Sequence, residues 1–486
     1  MTRSTRPPRL LAAAAVCAVV LAACGDSDDS SDEPAAATAA PAETTPETTT
    51  PPTTGPPETT APPTTIAEDD DDDDHGHDDH DHDHDDHDHD DHDHEEDDHD
   101  HGDEDHDHDE DDHDHDDDAV EVAEPELRLV VADAVEPVVR VVRYSDGEVI
   151  ATLDMPGTVA VSDAGRYTLA AARADDRLEV VDPGTWTEPH GDHFHSFVAT
   201  PTLTDMGFDV DDPTHVVGHG DLLAVFNDGD GSVMVLDQTA LSYDDAVVAT
   251  LDSGAAHHGV AVALAEYGVV VLTTPVEGES LPDGVAVVDL ETGEELQRFP
   301  DCPGLHGEAA TEAFVAFGCA DGVLILEPHD DHWDARAIAR PEGSADDART
   351  GTLAASGEIL VGNLGSGALA VIDLEGGVAT AIELPVDMRG FALAPDGASV
   401  VVLTIDGQVH LIDPATGTIT ASTPVVDAFE LPEGHGAAPI PQLAVVEGHI
   451  FVTDPVNGGI VELDSSLAEL GRFDVGGAPA GVVLAG

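Results

Sequence analysis

VAVVDLETGEELQRF, residues 285–299, decides the fold. It opens with a short apolar strand that ends at Asp289, turns at Thr292-Gly293, and continues into a second strand. The unit recurs as VRVVRYSDGEVIATL (139–153), LEVVDPGTW (178–186), VMVLDQTAL (233–241) and VLILEPHDD (323–331). It returns again as LAVIDLEGGVATAIEL (369–384), VHLIDPATGTITAS (409–422) and GIVELDSSLAEL (459–470). Each copy follows two more strand-like runs, such as FALAPDGASVVVLTIDG (391–407). Four short strands per unit, repeated at roughly forty to fifty-five residues, predict an all-β chain folded as a β-propeller. The eight copies predict eight blades, or seven if one unit is irregular.

Two features outside the repeat fit a closed ring. PAGVVLAG (479–486) reads as an innermost strand with nothing after it, and completes the first blade beside LRLVVAD (127–133). That pairing removes a long exposed edge. Cys302 and Cys319 bracket CPGLHGEAATEAFVAFGC on the first two strands of one blade. In an exported chain they are expected to form a disulfide. A free pair or a thiolate metal site is the alternative.

Export is read from the N-terminus. Arg3, Arg6 and Arg9 precede an apolar run from Leu10 to Ala23, too short to span a bilayer. Residues 1–23 therefore read as a signal peptide. LAAC (21–24) resembles a bacterial lipobox, which makes Cys24 the lipidated first residue of the mature chain. The expected location is the outer side of the cytoplasmic membrane, at the cell surface or in the periplasm, held only by the lipid. Residues 24–67 are rich in Thr, Pro and Ala, and predict a disordered tether.

Residues 68–118 hold 34 acidic residues, 15 His and two Gly, so no core can form from them. An acidic tail needs no imidazole, yet the HDHD units place His80, His82, His84, His87, His89, His92 and His94 along one repetitive segment. Imidazole suits zinc, copper and nickel. Many similar, labile sites are expected, because ordering a mobile chain costs entropy at each binding event. The remainder, residues 119–486, is the propeller domain. It carries 13 His, 12 Arg and no Lys, with a formal charge of −50. That surface disfavours nucleic acid and favours cations.

Ordered sites are expected in two places. Innermost propeller strands begin where the blades converge, and three successive units put His215, His258 and His306 there. The next two units put Arg349 and Arg389 at that position. The three imidazoles can share one metal, with Glu308 as an oxygen ligand. The second place is HGDHFHSF (190–197), which should start the fourth, outer strand of its blade. His193 and His195 then face one side, two residues apart, with His190 in the turn and Asp192 as an acceptor behind a ligand. Phe194 and Phe197 anchor the strand. Regular propeller geometry keeps this pair away from His215, unless the insertion between Ser196 and Pro213 folds across. Solvated positions are expected for His219, His329, His332, His410, His435 and His449.

HGDHFHSF, PTHVV (213–217), FNDGDGSV (226–233), AHHGVAV (256–262), CPGLHGEA (302–309) and FGC (317–319) together resemble the periplasmic zinc metallochaperones of the AztD type. The resemblance spans the whole globular part. It implies a β-propeller that binds Zn2+ and passes it to the solute-binding protein of a zinc ABC importer. Zinc binding carries onto His193 and His195, and onto His215, His258 and His306. A non-enzymatic, monomeric chaperone is the expectation. The alternatives are a metal-dependent hydrolase or reductase, and a scaffold or adhesion propeller with a metal-buffering tail. The sequence has no Ser nucleophile elbow and no Gly-rich phosphate loop, and Glu308 beside His306 is its one acid–base candidate.

Overall fold

The computed structural model describes residues 119–486 apart from 192, 244, 330–331, 346–347, 395–396, 398, 432–438 and 447–448. The signal peptide, Cys24, the tether and the whole His/Asp tract, His80 to His94 included, lie outside the described residues. So do Asp192 and His435.

The described residues form eight four-stranded antiparallel sheets in succession along the chain, and one small three-stranded sheet. Each large sheet contains one copy of the sequence repeat as its third and fourth strands, or the start of them. In the fourth sheet the quoted stretch becomes Gly284–Asp289 and Glu295–Phe299. The third strand is buried along its apolar run, while the outer strand has only exposed and half-buried positions. This difference explains why third strands are the most legible element in the sequence and outer strands the least.

Innermost strands of successive sheets touch. Ala160–Ala164 lies against Pro479–Ala485 on one side and Pro213–His219 on the other. Leu443–Val446 contacts both Met388–Leu393 and Pro479–Ala485, which returns the sequence of sheets to its start. The first sheet is completed by Pro479–Ala485 pairing with Arg128–Asp133, from Arg128 opposite Ala485 to Asp133 opposite Pro479. The expected closure by the C-terminal strand is therefore present. Among the described residues no helix is long and apolar enough to cross a membrane.

The core lies between neighbouring sheets. Val262, Val271, Val285 and Val287 of the fourth sheet interdigitate with Phe317, Leu324, Leu326 and Trp333 of the fifth. Each such side chain contributes about 1.5–3 kcal/mol when fully buried. Cys302 and Cys319 sit in the same cluster and are joined by a disulfide.

HGDHFHSF departs from expectation. The fourth strand of the second sheet is Thr202–Asp209, which pairs with Arg177–Asp182. Residues 183–201 instead leave the sheet as a hairpin of Thr185–His190 and His193–Val198. Val120–Val122 adds to it as a third strand, with Val120 opposite Val198. The reason lies in the sequences. TLTDMGFD (202–209) has only exposed and half-buried positions and bulges between Leu203 and Gly207, so little in its sequence marks it as the outer strand of the blade. Arg128 fixes the base of the hairpin by donating to the carbonyls of Pro183 (2.7 Å) and Ala199 (2.9 Å).

Candidate metal centres

His215, His258 and His306 come from three successive sheets and converge at one end of the ring. His215 lies near the start of an innermost strand, just after a register shift between Pro213 and His215. Such bulges re-aim side chains. His258 precedes Gly259, where a Cβ would lie 2.3 Å from Phe226 Cζ and 2.4 Å from Thr273 Oγ1. Only glycine lets the backbone pass that close. His306 precedes Gly307, whose φ of +73° breaks the strand alternation before Glu308.

The nitrogens are arranged as donors to a cation. His258 Nε2 is 3.1 Å from His306 Nε2 and 3.4 Å from His215 Nε2. His306 Nδ1 lies 2.6 Å from the Gly351 carbonyl oxygen, which can only accept, so Nδ1 carries the proton and Nε2 the lone pair. His258 Nδ1 lies 2.6 Å from Asp228 Oδ2 and is fixed the same way. Two lone pairs facing at 3.1 Å repel each other unless a cation lies between them. A tetrahedral zinc with bonds of about 2.0–2.1 Å puts its ligand nitrogens about 3.3 Å apart. Burial, then the neighbouring His258, His306 and Arg173 charges, hold His215 well below the usual histidine pKa, so it stays neutral and able to ligate. Glu308 is not among the donor atoms that lie within 4.8 Å of one another here. Its carboxyl is pushed up to about 7 by burial, against the opposing pull of His306 and His258.

The hairpin forms a second cluster. His190 and His193 are directly opposite across the two strands, so His190 ends a strand rather than sitting in the turn. His193 Nε2 is 3.0 Å from His195 Nε2, which is 3.3 Å from His190 Nδ1. Glu121, on the added strand, accepts from His195 Nδ1 at 2.6 Å. Phe197 stacks on Trp186 and anchors the hairpin, but Phe194 is 72% exposed and anchors nothing. The hairpin leaves its sheet after a third strand, and third strands run parallel to innermost ones. It therefore projects from the opposite end of the ring to His215, as the regular geometry required.

Over 374 residues the chain is 30% identical to the zinc chaperone AztD of Citrobacter koseri, an alignment that covers 74% of this chain and 86% of that protein. The chain belongs to the AztD zinc chaperone family. Its fold matches the crystal structure of Citrobacter koseri AztD with a TM-score of 0.67 at 28% identity, covering 74% of this chain and 98% of that one. The apo AztD structure from the same organism gives 0.66 at 27% identity, with the same coverage of both chains. No protein-family model matches the chain. The motifs quoted from the sequence fall at both clusters: HGDHFHSF at the hairpin, PTHVV, AHHGVAV and CPGLHGEA at the ring.

Several residues were missed by sequence reasoning. Asp228 lies in the motif FNDGDGSV but had no assigned role. Glu121 carries no signal beyond being acidic, since its partner is 74 residues away. His410, expected in solvent, is 3% exposed and bonds Thr404 and Ser422. His449 lies 2.5 Å from Glu462. His219 lies 3.2 Å from Glu266, and His329 and His332 both lie beside Asp334. Arg349 donates to the Gly304 carbonyl, and Arg389 to Gln442.

Proposed function

We propose that this chain is a non-catalytic zinc metallochaperone that passes zinc to the solute-binding protein of a zinc ABC importer. The observation that carries the reading is the 3.1 Å approach of His258 Nε2 to His306 Nε2, with both Nδ1 atoms committed to acceptors. That arrangement costs energy in an empty site and is relieved by a cation, so it serves storage of an ion better than a structural hydrogen bond. His215, His258 and His306 hold zinc inside the ring, where few incoming groups can reach it. His190, His193 and His195 hold it on an exposed hairpin, where an acceptor's ligand can bind before a histidine leaves. Ligand exchange of that kind is what transfer requires. The His/Asp tract is contiguous in sequence with the strand that bears Glu121, and gathers zinc at many weak sites. Residues 1–23 export the chain, and Cys24 anchors it by lipid outside the cytoplasmic membrane.

The test is zinc content and affinity of residues 119–486 by chelator competition. Two tightly held ions are expected. His258→Ala should lose one, and His193→Ala/His195→Ala the other. Retention of no zinc, or the same binding in all three proteins, rejects the reading.

A further inference from the structure

Neither histidine cluster accounts for a third group at the tip of the fifth sheet. Gly322–Pro328 and Trp333–Ala339 form its outer hairpin, and the His329 N–H donates to the His332 carbonyl at 2.9 Å to close the turn. His329 Nε2 is 3.2 Å from Asp334 Oδ2, and His332 Nε2 is 3.6 Å from Asp334 Oδ1. The two rings stack with centroids 5.0 Å apart. One donor atom from each of the three lies within 4.8 Å of the others.

The scaffold beneath is buried and hydrogen-bonded while the donors are open. Trp333, between the ligating positions, is 7% exposed and packs in the core shared with the fourth sheet. Gln297 clamps its backbone from that sheet, donating to the Trp333 carbonyl at 2.8 Å and accepting from its N–H at 3.0 Å. Tyr267 meets the indole edge to face. By contrast the side chains of His329, His332 and Asp334 are 48%, 53% and 65% exposed. The hairpin thus presents three donors from a buried base.

We propose that His329, His332 and Asp334 form a third metal site, for a divalent transition ion that accepts imidazole. Two imidazoles and one carboxylate suit zinc, nickel or cobalt better than calcium or magnesium. Water fills the remaining positions, and solvent access makes the ion exchange quickly. The turn joins a third to a fourth strand, so it lies at the end of the ring from which the 183–201 hairpin projects, away from His215.

The chain's two tryptophans, Trp186 and Trp333, make a local test feasible in the full-length protein. Biosynthetic 5-fluorotryptophan gives one fluorine signal at each, assigned with Trp186→Phe. Paramagnetic Co2+ is the probe. Expected is a saturable shift of the Trp333 signal that Zn2+ reverses. His329→Gln/His332→Gln, and separately Asp334→Asn, should raise the cobalt needed at Trp333 by about tenfold or more and leave the Trp186 response unchanged. No cobalt response at Trp333, or an equal response in both variants, overturns the proposal and leaves only a surface His–Asp pairing.

Discussion

Asp228→Asn isolates what the carboxylate does for the ring site. Asp228 is 11% exposed at its side chain and touches His258 Nδ1 at 2.6 Å, so its charge is felt through little water. The asparagine keeps an acceptor of similar shape but removes the negative charge. One unit charge about 6 Å from a divalent ion is worth up to about 5.5 kcal/mol at an effective dielectric near 20. Arg173, 3.6 Å from the same carboxylate, already offsets part of that. Losing a partner behind a metal-bound histidine typically weakens binding by about 10–100-fold, or about 1.4–2.8 kcal/mol. The expected loss lies in that interval. The assay is competition against a chromophoric zinc chelator, using residues 119–486 with parent and His258→Ala as references, and thermal melting of the apo proteins as a folding control. An Asp228→Asn affinity within about twofold of the parent, while His258→Ala loses the site, would refute the assignment of Asp228 as the group that orients and polarises His258.

Three further outcomes follow from named contacts. Glu121→Gln should weaken zinc at the hairpin by about tenfold and leave the ring site unchanged, read as loss of the second of two chelator-competition steps. His215 has a folded pKa well below its unfolded value near 6.5, so the unfolded state binds the extra proton first. Its contribution to apo stability is complete above about pH 6.5 and is lost as pH falls toward the folded pKa, by at most about 1.4 kcal/mol per pH unit. Urea melts of apo parent and His215→Gln between pH 5 and 7 should show a shallower pH slope in the variant, and equal slopes would contradict the burial of that imidazole. Cys302→Ser/Cys319→Ser opens a short loop and should cost about 3 kcal/mol, seen as a drop in Tm of about 4 °C.

The ring was legible because third strands are buried on both faces and so repeat as apolar runs ending in Asp, as at Val285–Asp289 and Val409–Asp413. The ring histidines were legible because each stands just before or near the start of an innermost strand, a position fixed by the repeat. HGDHFHSF contains the expected strand with His193 and His195 on one face, but that strand belongs to a hairpin outside the four strands of its blade. The true outer strand, Thr202–Asp209, has no fully buried residue and packs on the core only partly, through Met206 and Phe208, so its pattern is weak. The groups behind the ligands were beyond reach for another reason. Glu121 meets His195 only through pairing of Val120–Val122 with the hairpin, and local sequence says nothing about such a distant register. His329 and His332 looked ordinary because their shared partner, Asp334, belongs to the strand after the turn.

The ring closes through a strand that is made roughly 350 residues after its partner, since Pro479–Ala485 pairs with Arg128–Asp133. At synthesis rates of about 5–20 residues per second, the first sheet waits on the order of tens of seconds without its innermost strand. Through that interval Arg128–Asp133, wholly buried in the finished fold, has an open backbone edge that invites pairing with the wrong chain. The ring-site histidines, at positions 215, 258 and 306, emerge well before closure. Nascent chains therefore carry the ring histidines and an open edge together, and on the proposed reading premature zinc capture would bridge chains rather than fill the ring. Folding yield in refolding experiments should accordingly fall when zinc is added before closure and not when it is added after.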